Sequence, residues 1–360
     1  MIFTELRFIL LFALCWITFF AVPRRWRNAT LAAFGIAFYA IFAGPAVLGI
    51  VLLLTLAAYV RAPALLFVIA LIVAKIPNAS WVVPLGLSYL TFELIHIVVE
   101  RRRGRIAEMS FTALLAFVFF APARIAGPIK RFPQFRDAVA EAELSGDDVY
   151  AGVLRILLGL AKKFLLADIL ALTVAESQYA SSMRQAWMVV LAFGLQLFLD
   201  FSAYSDIAIG FARTLGIRLP ENFNWPYLAS NIREFWERWH ITLSQWVRDY
   251  VFTPLGRALF GTRLRPYPSA IATISYLVTF AIVGAWHGLE PRFVLWGLYH
   301  GVLLAIFNLW RRYVPSSDSV PRRALGIVVT FFFVTIGWVP FFLPLEKAAH
   351  MWALMFGLAH

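Results

Sequence analysis

LFLDFSAYSDIAIGFARTLGIRLPENFNWPYLASNIREFWERWHITLSQWVRDYVFTPLG, running from Leu197 to Gly256, is the most polar long segment of a chain otherwise made for lipid. The whole sequence is 61% hydrophobic and 16% aromatic, with only 14% charged residues. Soluble domains carry about 25% charged residues. A chain so poor in charge cannot coat a globular surface, so lipid is its solvent. Apolar runs recur along the full length rather than only at the start, which sets aside a cleaved signal peptide on a soluble domain. The fold class is therefore all-α: a polytopic membrane protein.

Working outward, a span needs about 20 mainly apolar residues. Upstream candidates are Phe8 to Val22, Leu31 to Arg61, Leu65 to Lys75, Trp81 to Val99 and Ser110 to Ala123. Leu31 to Arg61 is too long for one span, and Gly44-Pro45 marks either a break into two helices or a re-entrant break. Val149 to Val174 carries Lys162 and Lys163 at its middle, a costly depth for two cations, so that helix should break there or lie near an interface. Met188 to Leu215 leads into the polar stretch. Ala270 to Trp286, Phe293 to Trp310 and Leu325 to Leu343 follow it, and His350 to His360 reads as a last short helix. The total is roughly ten or eleven embedded helices. With no repeat, low-complexity linker or soluble segment, residues 1–360 read as one membrane-embedded domain.

A formal charge of +12 does not point to nucleic acid. The basic residues sit in short inter-helix segments, such as Arg24, Arg25 and Arg27, Arg101 to Arg105, Lys130 and Arg131, Arg311 and Arg312, and Arg322 and Arg323. That is the pattern of the positive-inside bias, with anionic lipid headgroups as partners. The single Cys15 lies in the first apolar run and excludes a disulfide framework or Cys metal site; it reads as a packing residue.

Within the polar stretch, Asp200 and Asp206 interrupt a spanning pattern and should face a cavity or a cation, with Arg213 or Arg218 as candidate partners. PENFNWPY, Pro220 to Tyr227, cannot continue a helix. Ser230-Asn231 offers an N-cap for a helix reaching about Val251. On one helix, Trp236, His240, Ser244 and Val247-Arg248 share a face, and Arg233 and Glu237 form an i,i+4 pair. Trp236, Trp239 and Trp246 suit the headgroup level. An amphipathic interfacial helix without chemistry explains the tryptophans and arginines well but His240 less well.

His287 closes the apolar run SYLVTFAIVGAWH, and an intramembrane histidine is a functional candidate by default. Imidazole takes a proton from a hydroxyl near neutral pH, which few side chains do. The alternative is a histidine that hydrogen-bonds a neighbouring helix, and His300 fits that alternative better. HExxH, CxxC, P-loop and GxSxG patterns are absent, and His96 with Glu100 is the nearest approach to HxxxD. The scattered histidines show no ligand spacing, so no metal is expected. A transporter also places polar groups at mid-membrane, but no matching pair of broken helices occurs in the two halves.

The run from DFSAYSD to VFTPLG closely resembles the signature region of the membrane-bound O-acyltransferase (MBOAT) family. It looks most like the bacterial branch with alginate O-acetylating and teichoic-acid D-alanylating members. GAWHG and FVLWGLYHG resemble the family's second signature, and PLGLSYLTFELIHIVVE and ARIAGPIKRF its weaker early motifs. Together these span about residues 81–301. The resemblance implies that His287, in WHG, is the catalytic histidine and His240, in RWH, the second active-site histidine. It implies a central tunnel, with a thioester donor (acyl-CoA or an acyl carrier) arriving from the cytoplasm and a hydroxyl acceptor from the other face. Supporting or substrate-binding candidates are Asp206, Asn224, Arg233, Trp236, Glu237, Trp239, Ser244, Arg248, Trp286 and His300. No bound cofactor is expected.

Two departures stand against the alginate-type pattern. Those members continue for further spans beyond the equivalent of GWVPFFLPLEKAAHMWALMFGL, and Glu290-Pro291-Arg292 puts two charges after WHGL. The expected activity is O-acylation, most readily O-acetylation, of an exported or surface polysaccharide at the bacterial inner membrane. The expected partners are membrane lipids, an extracytoplasmic acyltransferase protein and an acyl carrier protein. D-alanyl or longer-chain transfer, to a teichoic-acid-like or lipid-linked acceptor, is the alternative. A transporter or scaffold that keeps the fold without the chemistry is the reading from another class.

Overall fold

Glycine and proline set where the apolar runs of this chain stop and restart. Leu6–Ala21 (α1) and Arg27–Phe42 (α2) are followed by Gly44, whose φ of 85° lies in the left-handed region, and then by Pro45 at the first position of Pro45–Tyr59 (α3). The expected break of the long run at Gly44-Pro45 is therefore present, for the reason that proline is preorganised for a first helical turn and cannot continue an interior one. The computed structural model describes residues 2–73, 75, 86–314 and 319–359. Among these residues every regular element is a helix.

The chain divides into two units, Met1–Ala161 with Phe201–Glu221, and Lys162–Asp200 with Asn222–His360. In the first unit α1 to α3 are followed by Ala64–Val73 (α4), Leu87–Arg102 (α5), Phe111–Val118 (α6), Phe132–Glu141 (α7) and Gly146–Ala161 (α8). The expected span Trp81 to Val99 is described only as α5, because residues 81–85 lie outside the described set. Cys15 is buried in packing, as expected.

α5 hides charge that composition did not reveal. Glu93 accepts hydrogen bonds from Arg124 Nη1 at 2.9 Å and Lys130 Nζ at 2.6 Å, and all three side chains are at most 1% exposed. Lys130 thus belongs to a buried cluster, not to a solvated inter-helix basic patch, and its ammonium also sits 4.9 Å from the centre of the Phe117 ring. One turn on, His96 Nε2 accepts the backbone N–H of Phe132 at the start of α7, and Glu100 takes Arg103 and Arg105. His96 and Glu100 are both committed to packing.

The second unit begins with a π-helical turn, Lys162–Ala167, before Asp168–Ala175 (α9). The disruption expected at the paired lysines is thus real, and Lys163 Nζ lies 2.7 Å from both Asp168 and Asp200. Asp200 lies on Met183–Thr214 (α10), a 32-residue helix whose later residues belong to the first unit. There Asp206 is 3.0 Å from Arg155, which also holds Glu221 at 2.6 Å, while Arg213 and Arg218 both turn to Asp148. The expected pairing of Asp200 or Asp206 with Arg213 or Arg218 is therefore wrong. α8 can approach residues 203–210 closely because Gly152 and Gly210 face each other, and a Cβ on either would come within 2.7 Å of the other's carbonyl oxygen.

Beyond the polar stretch come Ile232–Arg238 (α11), Ile241–Val247 (α12), Thr253–Phe260 (α13), Pro268–His287 (α14), Pro291–Tyr313 (α15), Val320–Gly337 (α16), Val339–Phe342 (α17) and Leu345–Met355 (α18). Proline opens α13 to α17. Among the described residues four helical stretches are long and apolar enough to cross a membrane: Met183–Thr214, Pro268–His287, Pro291–Tyr313 and Val320–Phe342. Leu6–Ala21, Pro45–Tyr59 and Ala64–Val73 are shorter apolar helices. An all-α membrane protein with roughly ten or eleven embedded helices is compatible with this set. The final helix stops at Met355, short of the expected end, and His360 lies outside the described residues.

Candidate active site

PENFNWPY does break the helix, as its prolines require, and it packs inside the second unit from Asn222 onward. Asn231 caps α11 as expected, its side chain accepting the N–H of Glu234 at 2.9 Å. The helix does not run on to Val251. It ends at Arg238, and His240 takes a left-handed conformation (φ 44°, ψ 52°) before α12 begins. The shared face expected for Trp236, His240 and Ser244 is therefore absent. Left-handed geometry is disfavoured for a residue with a Cβ and persists only where its surroundings enforce it.

Asn222 supplies that enforcement. Its backbone carbonyl accepts from Ile241 N at 2.9 Å. Its side-chain oxygen accepts from the Thr242 hydroxyl at 2.9 Å and the Thr242 N–H at 3.3 Å, and lies 3.1 Å from His240 Nδ1. A backbone N–H can only donate, so the amide atom facing it is oxygen, and His240 Nδ1 must carry the proton. Nε2 is then the acceptor nitrogen of the ring. His240 is buried, lies outside the four apolar spans, and is pushed down by burial and then by the nearby charge of His287, so the imidazole is neutral.

His287 is the last residue of α14 and is half-buried. Its ring meets those of Trp286 at 4.5 Å, Phe341 at 4.9 Å and Trp296 at 5.1 Å, the last edge-on at 90°. Trp296 reaches it because α14 and α15 pack backbone to backbone. A Cβ on Gly284 would lie 2.2 Å from the Phe293 carbonyl oxygen, and one on Gly297 would lie 2.1 Å from that of Phe280. Small residues at such crossings are how membrane helices approach closely.

His300, four residues after Trp296 on α15, is fully buried between Trp236 and Trp296, each with ring centre 5.1 Å away. Neither of its ring nitrogens has a hydrogen-bond partner among the described residues. It is not the helix-tying histidine that its position suggested. Trp236 thus joins the cluster, whereas Trp239 is core, stacked on Phe235 and edge-on to Phe223.

The other candidates have separate positions. Ser244 donates to the Trp239 carbonyl at 3.2 Å and serves the helix break. Arg233 and Glu237 form the expected i,i+4 pair, at 3.3 Å, on an exposed surface. Arg248 is exposed and pairs with Asp249. Asn224 is exposed and exchanges backbone contacts with Arg238, so the asparagine of this loop that serves His240 is Asn222. Asp206 belongs to the first unit and is held by Arg155. Asn222, Thr242, Trp296 and Phe341 were not singled out by sequence, although Asn222 lies two residues from the asparagine that was. Among the described residues no group of three or more His, Cys, Asp or Glu side chains gathers to hold a metal ion.

The second unit offers a half-buried imidazole walled by Trp286, Trp296 and Phe341, and a second, neutral one of fixed tautomer near enough to feel its charge. Such a pair can accept and return a proton where water is scarce.

Comparison with known proteins places the chain in a family. The chain is 38% identical over 280 residues to a probable alginate O-acetylase AlgI of Azotobacter vinelandii, covering 76% of this chain and 54% of that protein. It is 33% identical over 268 residues to a teichoic acid D-alanyltransferase of Bacillus subtilis, covering 71% and 68%. It is 33% identical over 292 residues to a peptidoglycan O-acetyltransferase of Helicobacter pylori, covering 72% and 54%. The chain thus spans about half the length of the alginate and peptidoglycan relatives. The model of the membrane-bound O-acyltransferase family matches residues 4–341, and the chain belongs to that family.

Proposed function

We propose that this protein is an O-acyltransferase of the bacterial cytoplasmic membrane that moves an acetyl group from a cytoplasmic thioester to a hydroxyl of an exported or surface polysaccharide. The observation that carries the reading is the His240 and His287 pair, one pinned as a neutral Nδ1–H tautomer and the other half-buried and accessible. His287 takes the proton of the acceptor hydroxyl, whose oxygen attacks the thioester carbonyl carbon. A C–O bond forms and the C–S bond breaks. The proton held on His287 passes to the departing sulfur, so the imidazole is neutral again after each turnover. General-base help of this kind is worth roughly a hundred- to ten-thousandfold.

The tautomer favours one of the roles open to His240. A neutral ring with its only proton directed at Asn222 cannot polarise a carbonyl, but its Nε2 can accept an N–H from the carrier arm of the donor. His240 therefore binds and positions the donor. The donor is an acyl-CoA or an acylated carrier protein, the two substrates meet in a central tunnel, and an extracytoplasmic acyltransferase completes delivery to the glycan.

A second reading, transfer of D-alanine or a longer acyl group to a teichoic-acid-like or lipid-linked acceptor, is supported by the likeness to the Bacillus subtilis protein over two thirds of its length. Mass spectrometry of surface glycans from cells with and without the protein separates the two by the mass of the ester. His287→Ala, at unchanged membrane abundance, is expected to abolish the ester. Normal esterification in that variant would remove the catalytic assignment, and a solute flux surviving it would favour transport.

A further inference from the structure

The second unit also contains a cleft of about 980 Å³ that neither histidine lines. It lies between the start of α11, the last turns of α15 and the first turns of α16. Its lining is layered. Arg311, Arg322 and Arg323 are exposed at one end, beside Trp310. Ile306, Phe307, Val329 and Phe333 form the other end. At 1.5 Å per residue, Arg323 and Phe333 are separated by about 15 Å along α16. Arginine and tryptophan at one level and bare aliphatic and aromatic groups below it are the profile of a membrane interface, on the side that the positive-inside bias assigns to the cytoplasm.

Among the described residues the charge is also uncompensated. Two acidic side chains among the described residues line the cleft, Glu234 and Glu237. Burial raises Glu234, but hydrogen bonds from Ser230 and the Arg238 charge outweigh it and hold the carboxyl below its usual value; it is occupied by those two partners. Glu237 is taken by Arg233. Arg311, Arg322 and Arg323 have no acidic partner among the described residues. Below them Ile306, Val329 and Phe333 are 57%, 44% and 41% exposed, so the apolar end is open to long chains. A soluble anion would use the arginines and leave those side chains bare.

We infer that this cleft holds an anionic glycerophospholipid of the surrounding bilayer, its phosphodiester against Arg311, Arg322 and Arg323 and its acyl chains along Ile306, Phe307, Val329 and Phe333. The volume is at the upper end of small-ligand sites, about 300–1,000 Å³, and accommodates a headgroup with the first part of its chains. The site is independent of the acyl-transfer reading.

Native mass spectrometry of the purified, delipidated full chain tests it, with dioleoyl phosphatidylglycerol and dioleoyl phosphatidylcholine added in equal amounts. One phosphatidylglycerol should be retained with a preference of about tenfold or more, given the attraction of each interfacial arginine for anionic lipid. Arg311→Gln with Arg322→Gln and Arg323→Gln should bring the preference to within about twofold. Ile306→Trp keeps all three charges and fills the apolar end; it should lose the retained lipid. That variant keeps the test decisive if the triple substitution fails to fold. Equal retention of the two lipids by the unaltered protein overturns the inference. So does full retention by Ile306→Trp, and so does displacement of the lipid by inorganic phosphate or acetyl-CoA at matched concentration.

Discussion

The side-chain oxygen of Asn222 lies 3.1 Å from Nδ1 of His240 and accepts both hydrogens that Thr242 presents to it. One amide oxygen therefore fixes the ring tautomer, the orientation of the imidazole and the strained backbone on which it sits. Asn222→Ala should leave Thr242 and His240 without that acceptor, a loss of about 1–3 kcal/mol. The expected result is a lower unfolding temperature in detergent and at least a tenfold loss of turnover. Asn222→Asp should keep the acceptor, recover most of the stability and stabilise His240 as a cation. Its pH–rate profile should shift accordingly, which a purely structural contact would not cause.

His240 should also make stability depend on pH with a defined sign. Burial and the charge of His287 lower the folded-state pKa from 6.5 to about 3. Below 6.5 the unfolded chain binds a proton that the folded chain refuses. The contribution is therefore complete above about pH 6.5 and declines as pH falls toward the folded value, by up to about 1.4 kcal/mol per pH unit. Thermal unfolding between about pH 7.5 and 4.5 should show this decline, and His240→Gln should make it shallower.

The crossing of α14 and α15 should tolerate no side chain at its centre. Gly297→Val places atoms within 2.1 Å of the Phe280 carbonyl oxygen, which cannot move without opening the helix. The expected cost is about 1–3 kcal/mol or more, read as a lower melting temperature. Activity should fall further than stability alone explains, because Trp296 and His287 then separate.

These positions mark where sequence reading works in this chain and where it stops. Local chemistry was legible: Gly44-Pro45, the Lys162-Lys163 disruption, PENFNWPY and the Asn231 cap each depend on residues within a turn of one another. His240 was visible, but the break around it was not. Trp236, His240 and Ser244 fit a continuous helix, and no glycine or proline announces a left-handed residue. Choosing Asn222 over Asn224 required knowing which one faces Thr242, eighteen to twenty residues onward. Asp206 found Arg155 rather than a nearer arginine because α8 and α10 touch through glycines, a contact with no periodic signature. Glu93 was lost inside an apolar run because its two cations lie 31 and 37 residues away.

Glu93 itself should be costly to neutralise. Glu93→Gln leaves Arg124 and Lys130 buried without a counter-charge, and breaking such an arrangement costs about 3–5 kcal/mol. Lower yield of folded protein in the membrane and a depressed melting temperature are the expected readings. Adding Lys130→Met to Glu93→Gln removes one of the two stranded charges and should recover part of the loss.

The same cluster also orders the assembly of the first unit. α5 emerges from synthesis before residues 121–131, so Glu93 is made before either of its cations. Arg124 cannot give up its proton, and neither it nor Lys130 is buried cheaply without Glu93 as partner. The loop that carries both cations must therefore dock on α5 while the unit is still open, before apolar side chains close over Glu93.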